Sequence, residues 1–298
     1  MQHALSARST FHPIRIEDTG HDLSVIREAL AEHSFDRLVL AEGDSWFDLF
    51  TPLFARYQPN LLSALRVPRP TVLVDLSRIG DTAKDMTSGW QALRTAEILD
   101  EIPFNAWLVS AGGNDLIDVF GGLFAKAALS KRSGFARLTS QEEGILKAPA
   151  SAHDVYDEII ANILKLVAMR DASRSNQKTP MILHGYDYLQ PRPAPAVVVP
   201  GIAEGPWIHP VLKAHGLSAA EMRQIAHDVI NTFNDRLGKA LHGKPNVYFL
   251  DQRGKLTLAA PETTAASNDW ADEIHPLPGG FDKLAKLFWN PLLAQLLA

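Results

Sequence analysis

Five short apolar runs constrain this chain more than any other feature. They are Arg37–Glu42, Thr71–Leu76, Asn105–Ser110, Met181–His184 and Asn246–Leu250. Each has strand length and is rich in aliphatic or aromatic residues. Helical periodicity fills the gaps between them. Asp22–His33 reads as a short helix and Trp90–Leu99 as another. Ser151–Asp171 repeats Val155, Ile159 and Leu166 at helical spacing. Ser218-Ala219-Ala220-Glu221 is a capping box opening a long helix, whose apolar face carries Met222, Ile225, Val229, Phe233, Leu237 and Leu241. Phe281–Leu297 closes the chain as a helix. Strands alternating with helices imply a parallel sheet covered on both faces. With right-handed crossovers this is a three-layer α/β/α sandwich around a five-stranded parallel sheet. The expected organisation is one domain over residues 1–298. Residues 1–35 form an N-terminal extension with a polar lead-in. Residues 116–150 and the proline-rich 190–210 are inserted loops and candidate lids.

Composition narrows the function classes. The net charge is -5 and no long Lys/Arg run occurs, so no nucleic-acid partner is expected. Cysteine is absent, which removes disulfides, thiolate catalysis and cysteine-ligated metals together. The first 22 residues lack the apolar run of a secretory signal, and no window approaches a membrane span. The expected location is cytoplasmic, with no transmembrane segment.

The chemistry gathers at strand ends. Leu38-Val39-Leu40-Ala41-Glu42-Gly43 delivers Asp44 and Ser45 at a turn. In a parallel sheet all carboxyl ends lie along one edge, so Ser45, Gly80 and Asn114 can converge from three strands. A serine nucleophile needs a base and an orienting acid. Among 11 histidines, His275 stands three residues after Asp272, just before the last helix. One turn lets that carboxylate accept from Nδ1–H and leaves Nε2 for the serine. Asp18 and His21 share the spacing but precede the first of the five strands, so spacing alone is weak. His184, Asp48 and Asp251 also lie near strand ends and read as structural. Trp207 and Ile208 read as packing or as a pocket wall.

Gly43-Asp44-Ser45-Trp46, Gly80, Gly112-Gly113-Asn114-Asp115 and Asp272-Glu273-Ile274-His275 resemble, in order and rough spacing, the blocks of the GDSL/SGNH hydrolase family. The resemblance runs from about Leu38 to the C-terminus. Trp46 stands where the family name has leucine. The resemblance implies a flavodoxin-like fold and a serine esterase or lipase-like hydrolase without cofactor or metal. Ser45 would attack an acyl carbonyl, His275 would act as base and then acid, and Asp272 would orient His275. The N–H groups of Ser45 and Gly80 and the Asn114 amide would form an oxyanion hole, with Asp44 bracing the turn. The implied partner is a small-molecule or lipid ester. The alternatives are a thioesterase or carbohydrate deacetylase, a binding protein on the same scaffold, and a metal-dependent hydrolase using Asp44, Asp115 and His275.

Overall fold

The five expected strands lie in one parallel sheet, and a sixth joins them. A computed structural model describes residues 11–15, 23–48, 60–120, 140–142, 145–147, 152–199 and 202–298. The strands are β1 (Phe11–Arg15), β2 (Arg37–Gly43), β3 (Thr71–Asp75), β4 (Ala106–Ser110), β5 (Met181–His184) and β6 (Val247–Leu250). Their order is β1-β3-β2-β4-β5-β6, and every neighbouring pair is parallel. The polar lead-in therefore holds an edge strand, with Phe11 opposite Thr71. Five residues with a central proline give little periodicity, and an edge position tolerates that proline.

Without β1, the order is that of a doubly wound flavodoxin-like sheet. The chain steps from β2 out to β3 and then back across to β4. The sheet changes direction between β2 and β4, and the crevice at their carboxyl ends is where such sheets keep ligands. β3 and β4 are buried along their whole length, as strands covered on both faces must be.

The helices are α1 (Leu23–Glu32), α2 (Gly89–Glu101), α3 (Gly113–Val119), α4 (Ala152–Ala172) and α5 (Ala219–Leu241). A C-terminal run follows, with α6 (Pro278–Leu284), a π turn (Ala285–Trp289) and α7 (Asn290–Leu296). The crossovers from β3 to β4, β4 to β5 and β5 to β6 all step the same way. Right-handedness puts their helices α2, α4 and α5 on one face. Arg236 on α5 meets Asp157 on α4 at 2.7 Å. The C-terminal run covers the other face. There Trp289 packs edge-on to Phe47, and Arg66 N–H donates to Asn290 Oδ1 at 2.8 Å. Pro291 has no N–H to give the preceding turn, and the wider π turn just before it absorbs that defect. The capping box at α5 forms as expected. Ser218 N–H donates to Glu221 Oε2 at 2.8 Å, and Glu221 N–H donates back to Ser218 Oγ.

The inserted loops differ from the expectation where they are described. Residues 190–210 hold a short antiparallel hairpin, Ala196–Val199 with Ile202–Glu204. Neither strand contains a proline. Within 116–150, Ser140–Glu142 pairs with Ile145–Lys147; residues 121–139 lie outside the described residues. Among the described residues no helix is long and apolar enough to cross a membrane.

An acidic side chain is buried in the sheet itself. Glu42, near the end of β2, is fully buried and accepts from Gln91 Nε2 at 3.2 Å and from Thr95 Oγ1 at 3.3 Å. Burial, reinforced by the nearby Asp81 and Asp75 carboxylates, pushes its carboxyl up to about 8. A carboxyl raised on folding stabilises the fold most while protonated, and that contribution is lost as pH climbs through its folded value. Melting temperature is therefore expected to fall between pH 5 and pH 9 in scanning calorimetry. Glu42→Gln, which stays neutral, is expected to flatten that slope. An unchanged slope in the variant would exclude Glu42 as its source.

Candidate active site

Strand β2 ends in a turn built for close approach. A Cβ on Gly43 would stand 2.8 Å from the Phe47 ring and 3.0 Å from Ser110 Cβ. Asp44 then shapes the turn. Its N–H donates to Ser110 O at 3.0 Å, and its Oδ1 accepts from Trp46 N–H at 3.0 Å. Ser45 stands at the top of this turn and is 5% exposed.

The partner of Ser45 arrives from the other end of the chain. His275 Nε2 lies 2.8 Å from Ser45 Oγ, and His275 Nδ1 lies 2.8 Å from Asp272 Oδ2. The other Asp272 oxygen accepts from Ile274 and His275 N–H, both at 2.8 Å. Burial works to raise the Asp272 carboxyl. The His275 charge and these hydrogen bonds outweigh it and hold the group below the ordinary aspartate value. Trp46 joins the two loops directly, its indole N–H donating to Ile274 O at 3.1 Å.

The structure brings the remaining expected residues to the same edge. Gly112 adopts φ 101° at the start of α3, where a Cβ would collide with Phe233. A Cβ on Gly113 would stand 2.8 Å from Asp44 Oδ2, so α3 can approach the serine turn only with glycine there. Asn114 donates through Nδ2 to Asp81 O at 2.9 Å, which ties it to the loop after β3. Gly80 precedes that carbonyl by one residue and has φ 87°. The same loop binds the serine strand, since Arg78 N–H donates to Gly43 O at 2.8 Å. The N–H groups of Ser45 and Gly80 have no acceptor among the described residues. A cavity opens here, bounded by Ser45, Asn114 and the aliphatic residues Leu116, Leu189, Ile230 and Ile274.

The residues set aside as structural do bond locally. Asp48 Oδ2 accepts from Ile79 N–H, and Asp251 pairs with Arg253 at 2.5 Å. His184 lies beneath the serine turn and bonds Ser110. Asp115 Oδ2 accepts from Ala83 N–H at 2.8 Å, away from any shared ligand set. Among the described residues no three His, Asp or Glu side chains are grouped to hold a metal ion. The Asp18–His21 pair lies outside the described residues.

Two residues that hold the histidine loop escaped the sequence reading. Glu273 is fully buried between Asp272 and His275 in sequence. Its carboxylate accepts the backbone N–H groups of Trp207, Ile208 and His209 at 2.6, 2.9 and 2.7 Å, and that of Arg192 at 3.3 Å. This fixes the proline-rich segment against the histidine loop and sets the Trp207 ring edge-on to His275, with centroids 6.4 Å apart. Arg192 is buried too. It donates to the carbonyls of Thr263, Ala265 and Asp272 at 3.2, 2.5 and 3.1 Å. An acidic residue beside Asp272 and an arginine between prolines were the only signals in the sequence, and neither points to a partner.

Burial pushes the Glu273 carboxyl up to about 7, against the pull of the four N–H donors. Glu273→Gln replaces one acceptor oxygen with an amine that faces those donors. The expected result is faster amide exchange at Trp207, Ile208 and His209, by roughly tenfold or more, as about 1–3 kcal/mol of hydrogen bonding is lost. Exchange as slow as in the parent protein would show that the segment is held by other contacts.

No protein-family model matches the chain, and no curated protein matches it. Solved structures do match. An aryl esterase from M. smegmatis is similar at 14% identity and TM-score 0.44, over 88% of this chain and 98% of that one. A protein described as a GDSL-like lipase from Parabacteroides merdae gives 10% identity and TM-score 0.38, over 88% and 96% of the two chains. An acetylxylan esterase from Geobacillus stearothermophilus gives 14% identity and TM-score 0.34, over 84% and 91%. The chain is thus similar to proteins described as esterases and a GDSL-like lipase, and what it does has to be argued from its own residues.

Proposed function

We propose that this protein is a serine ester hydrolase that works through an acyl-enzyme. The observation that carries the reading is the continuous linkage of Ser45 Oγ, His275 and Asp272, with 2.8 Å at each step. Ser45 Oγ attacks the acyl carbonyl carbon as His275 Nε2 takes the hydroxyl proton. His275 then gives that proton to the leaving alcohol oxygen as the C–O bond breaks. Water, deprotonated by the same nitrogen, releases the acid and restores Ser45. Asp272 fixes the Nδ1–H tautomer and stabilises the imidazolium that forms between the two transfers. The carbonyl oxygen becomes an oxyanion, and the Ser45 and Gly80 N–H groups and the Asn114 amide are its donors in this reading. A donor of this kind contributes about 3–4 kcal/mol to lowering the barrier. All the steps are proton transfers and acyl transfers, so no cofactor is required.

The aliphatic walls of the cavity support an uncharged, apolar acyl group. Sequestering a carboxylate among Leu116, Leu189 and Ile230 would cost far more than it returns. The substrate class is therefore a small-molecule or lipid ester with a neutral acyl chain.

Purified protein is expected to hydrolyse p-nitrophenyl acetate and butyrate, and to be labelled at Ser45 by a fluorophosphonate. Ser45→Ala is expected to lose both while keeping its circular dichroism spectrum. Turnover retained in the folded variant would refute Ser45 as nucleophile. A parent protein that neither turns over esters nor takes the label would refute the hydrolase reading itself. Acyl selectivity is a separate measurement. A hemisuccinate ester is expected to react at least about tenfold slower than the butyrate in kcat/KM, and equal rates would remove the neutral-acyl assignment.

A further inference from the structure

Beneath Ser45 runs a row of buried polar groups that the proposed reaction does not use. Asp44 is 1% exposed, Ser110 is fully buried and His184 is 1% exposed. Asp44 Oδ1 lies 2.7 Å from Ser110 Oγ, and Ser110 Oγ lies 2.9 Å from His184 Nε2. His184 Nδ1 lies 3.1 Å from Gly185 O. The Tyr186 hydroxyl closes on Asp44 Oδ2.

Hydrogens can be counted along this row. Gly185 O is a carbonyl and can only accept, so His184 Nδ1 must carry a hydrogen. Besides a contact of Tyr186 with Ser110, three contacts are left: Nε2 to Ser110 Oγ, Ser110 Oγ to Asp44 Oδ1, and Tyr186 Oη to Asp44 Oδ2. Each needs one hydrogen, but the serine and tyrosine hydroxyls supply only two. The third sits either on His184 Nε2, making an imidazolium, or on Asp44, making a neutral acid. A hydrogen on Asp44 lets its carboxyl donate to Ser110 Oγ, Ser110 donate to Nε2, and Nδ1–H donate to Gly185 O, so these contacts are satisfied in one direction.

The surroundings decide between the two sites. His184 stacks on Trp46 at 5.3 Å between centroids, and Phe47, Tyr186 and Trp289 complete its enclosure. Burial pushes this imidazole down to about 4, and burial pushes the Asp44 carboxyl up while Tyr186 and Ser110 pull it back. The charged groups that act on Asp44 from neighbouring loops are His275 and Asp81. His275 is already matched by Asp272, and Asp81 opposes a second negative charge.

We propose that Asp44 is held as a neutral carboxylic acid, hydrogen-bonded through Ser110 to a neutral His184, and that this keeps the floor beneath Ser45 uncharged. Asp44 borders the same cavity as Ser45 and Asn114. An ionised carboxylate there would oppose the oxyanion of the proposed reaction, whereas the neutral acid braces the serine turn without that penalty. Asp44 is then a positioning residue that acts through its own protonation state. The effect on rate rests on the ester-hydrolase reading; the protonation state does not.

The experiment has a spectroscopic arm and a kinetic arm. In protein labelled with ¹⁵N-histidine, with His184→Gln used for assignment, the His184 ring at neutral pH is expected to carry hydrogen on Nδ1 alone. Hydrogen on both nitrogens would place the extra proton on His184, and hydrogen on Nε2 alone would dispense with it; either result overturns the proposal. The infrared difference spectrum between the parent protein and Asp44→Asn is expected to show the loss of one neutral-carboxyl C=O component, beside the one that Glu42 keeps in both, and no such loss would also overturn the proposal. In the kinetic arm, kcat for p-nitrophenyl butyrate is expected to fall at alkaline pH, approaching tenfold per pH unit above the ionisation of Asp44. The alkaline limb should be absent from whatever turnover Asp44→Asn retains. A limb that persists in that variant would assign the fall to another group and overturn the rate effect. Loss of ester hydrolysis altogether would refute the hydrolase reading and leave the spectroscopic arm to decide the protonation state.

Discussion

One hydrogen bond joins residues 230 positions apart, Ser45 and His275, and the rest of the site exists to hold its two ends in place. Each end is fixed by its own local chemistry. Asp44 closes the serine turn through its side chain and its N–H. Asp272 closes the histidine turn by accepting from Ile274, His275 and the imidazole. Trp46 then spans the gap, donating from the serine turn to the carbonyl before His275. A leucine at that position could fill the space but could not make this bond.

The parallel sheet supplies the coarse alignment. β2 and β4 are neighbours whose chain connections leave in opposite directions, so a crevice opens at their carboxyl ends. Ser45 leaves β2 into it, and Gly112 and Gly113 let α3 begin close against Asp44. The histidine has no strand to carry it. It comes from a long irregular segment after β6, and irregular backbone needs side chains to replace the ladder it lacks. Arg192 and Glu273 provide them from either side, one donating to carbonyls and the other accepting from N–H groups. Two buried side chains, one a donor and one an acceptor, thereby set the position of a loop that packing alone would leave undetermined.

Buried carboxyls recur around this edge, and their environments separate them. Asp272 faces an imidazole and backbone donors and stays below its ordinary value. Glu42 and Asp44 are wholly enclosed and are pushed upward, as is the partly enclosed Asp81. The same residue type is thus an anion beside His275 and a group that favours its proton beneath Ser45. Desolvation penalises the charge everywhere at this edge, and only the supply of donors and cations differs from place to place.

The sequence by itself determined the elements that depend on local pattern. Apolar runs of strand length, the Ser218 capping box and the periodicity of α4 and α5 are near-neighbour effects, and each formed within a few residues of where it was read. The blocks around Ser45, Asn114 and His275 were legible because each sits at a strand end or a tight turn. Tertiary structure alone decided the rest. Phe11–Arg15 is a strand because β3 offers it an edge, not because of its own pattern. The hairpin at Ala196–Glu204 formed among prolines that suggested only loop. Glu273, Arg192 and the Asp44–Ser110–His184 row acquire their roles from partners 60 to 80 or more residues away, or from enclosure by rings. A side chain's charge is written in the sequence; its partners and its burial, which decide what that charge does, exist only after the chain has closed.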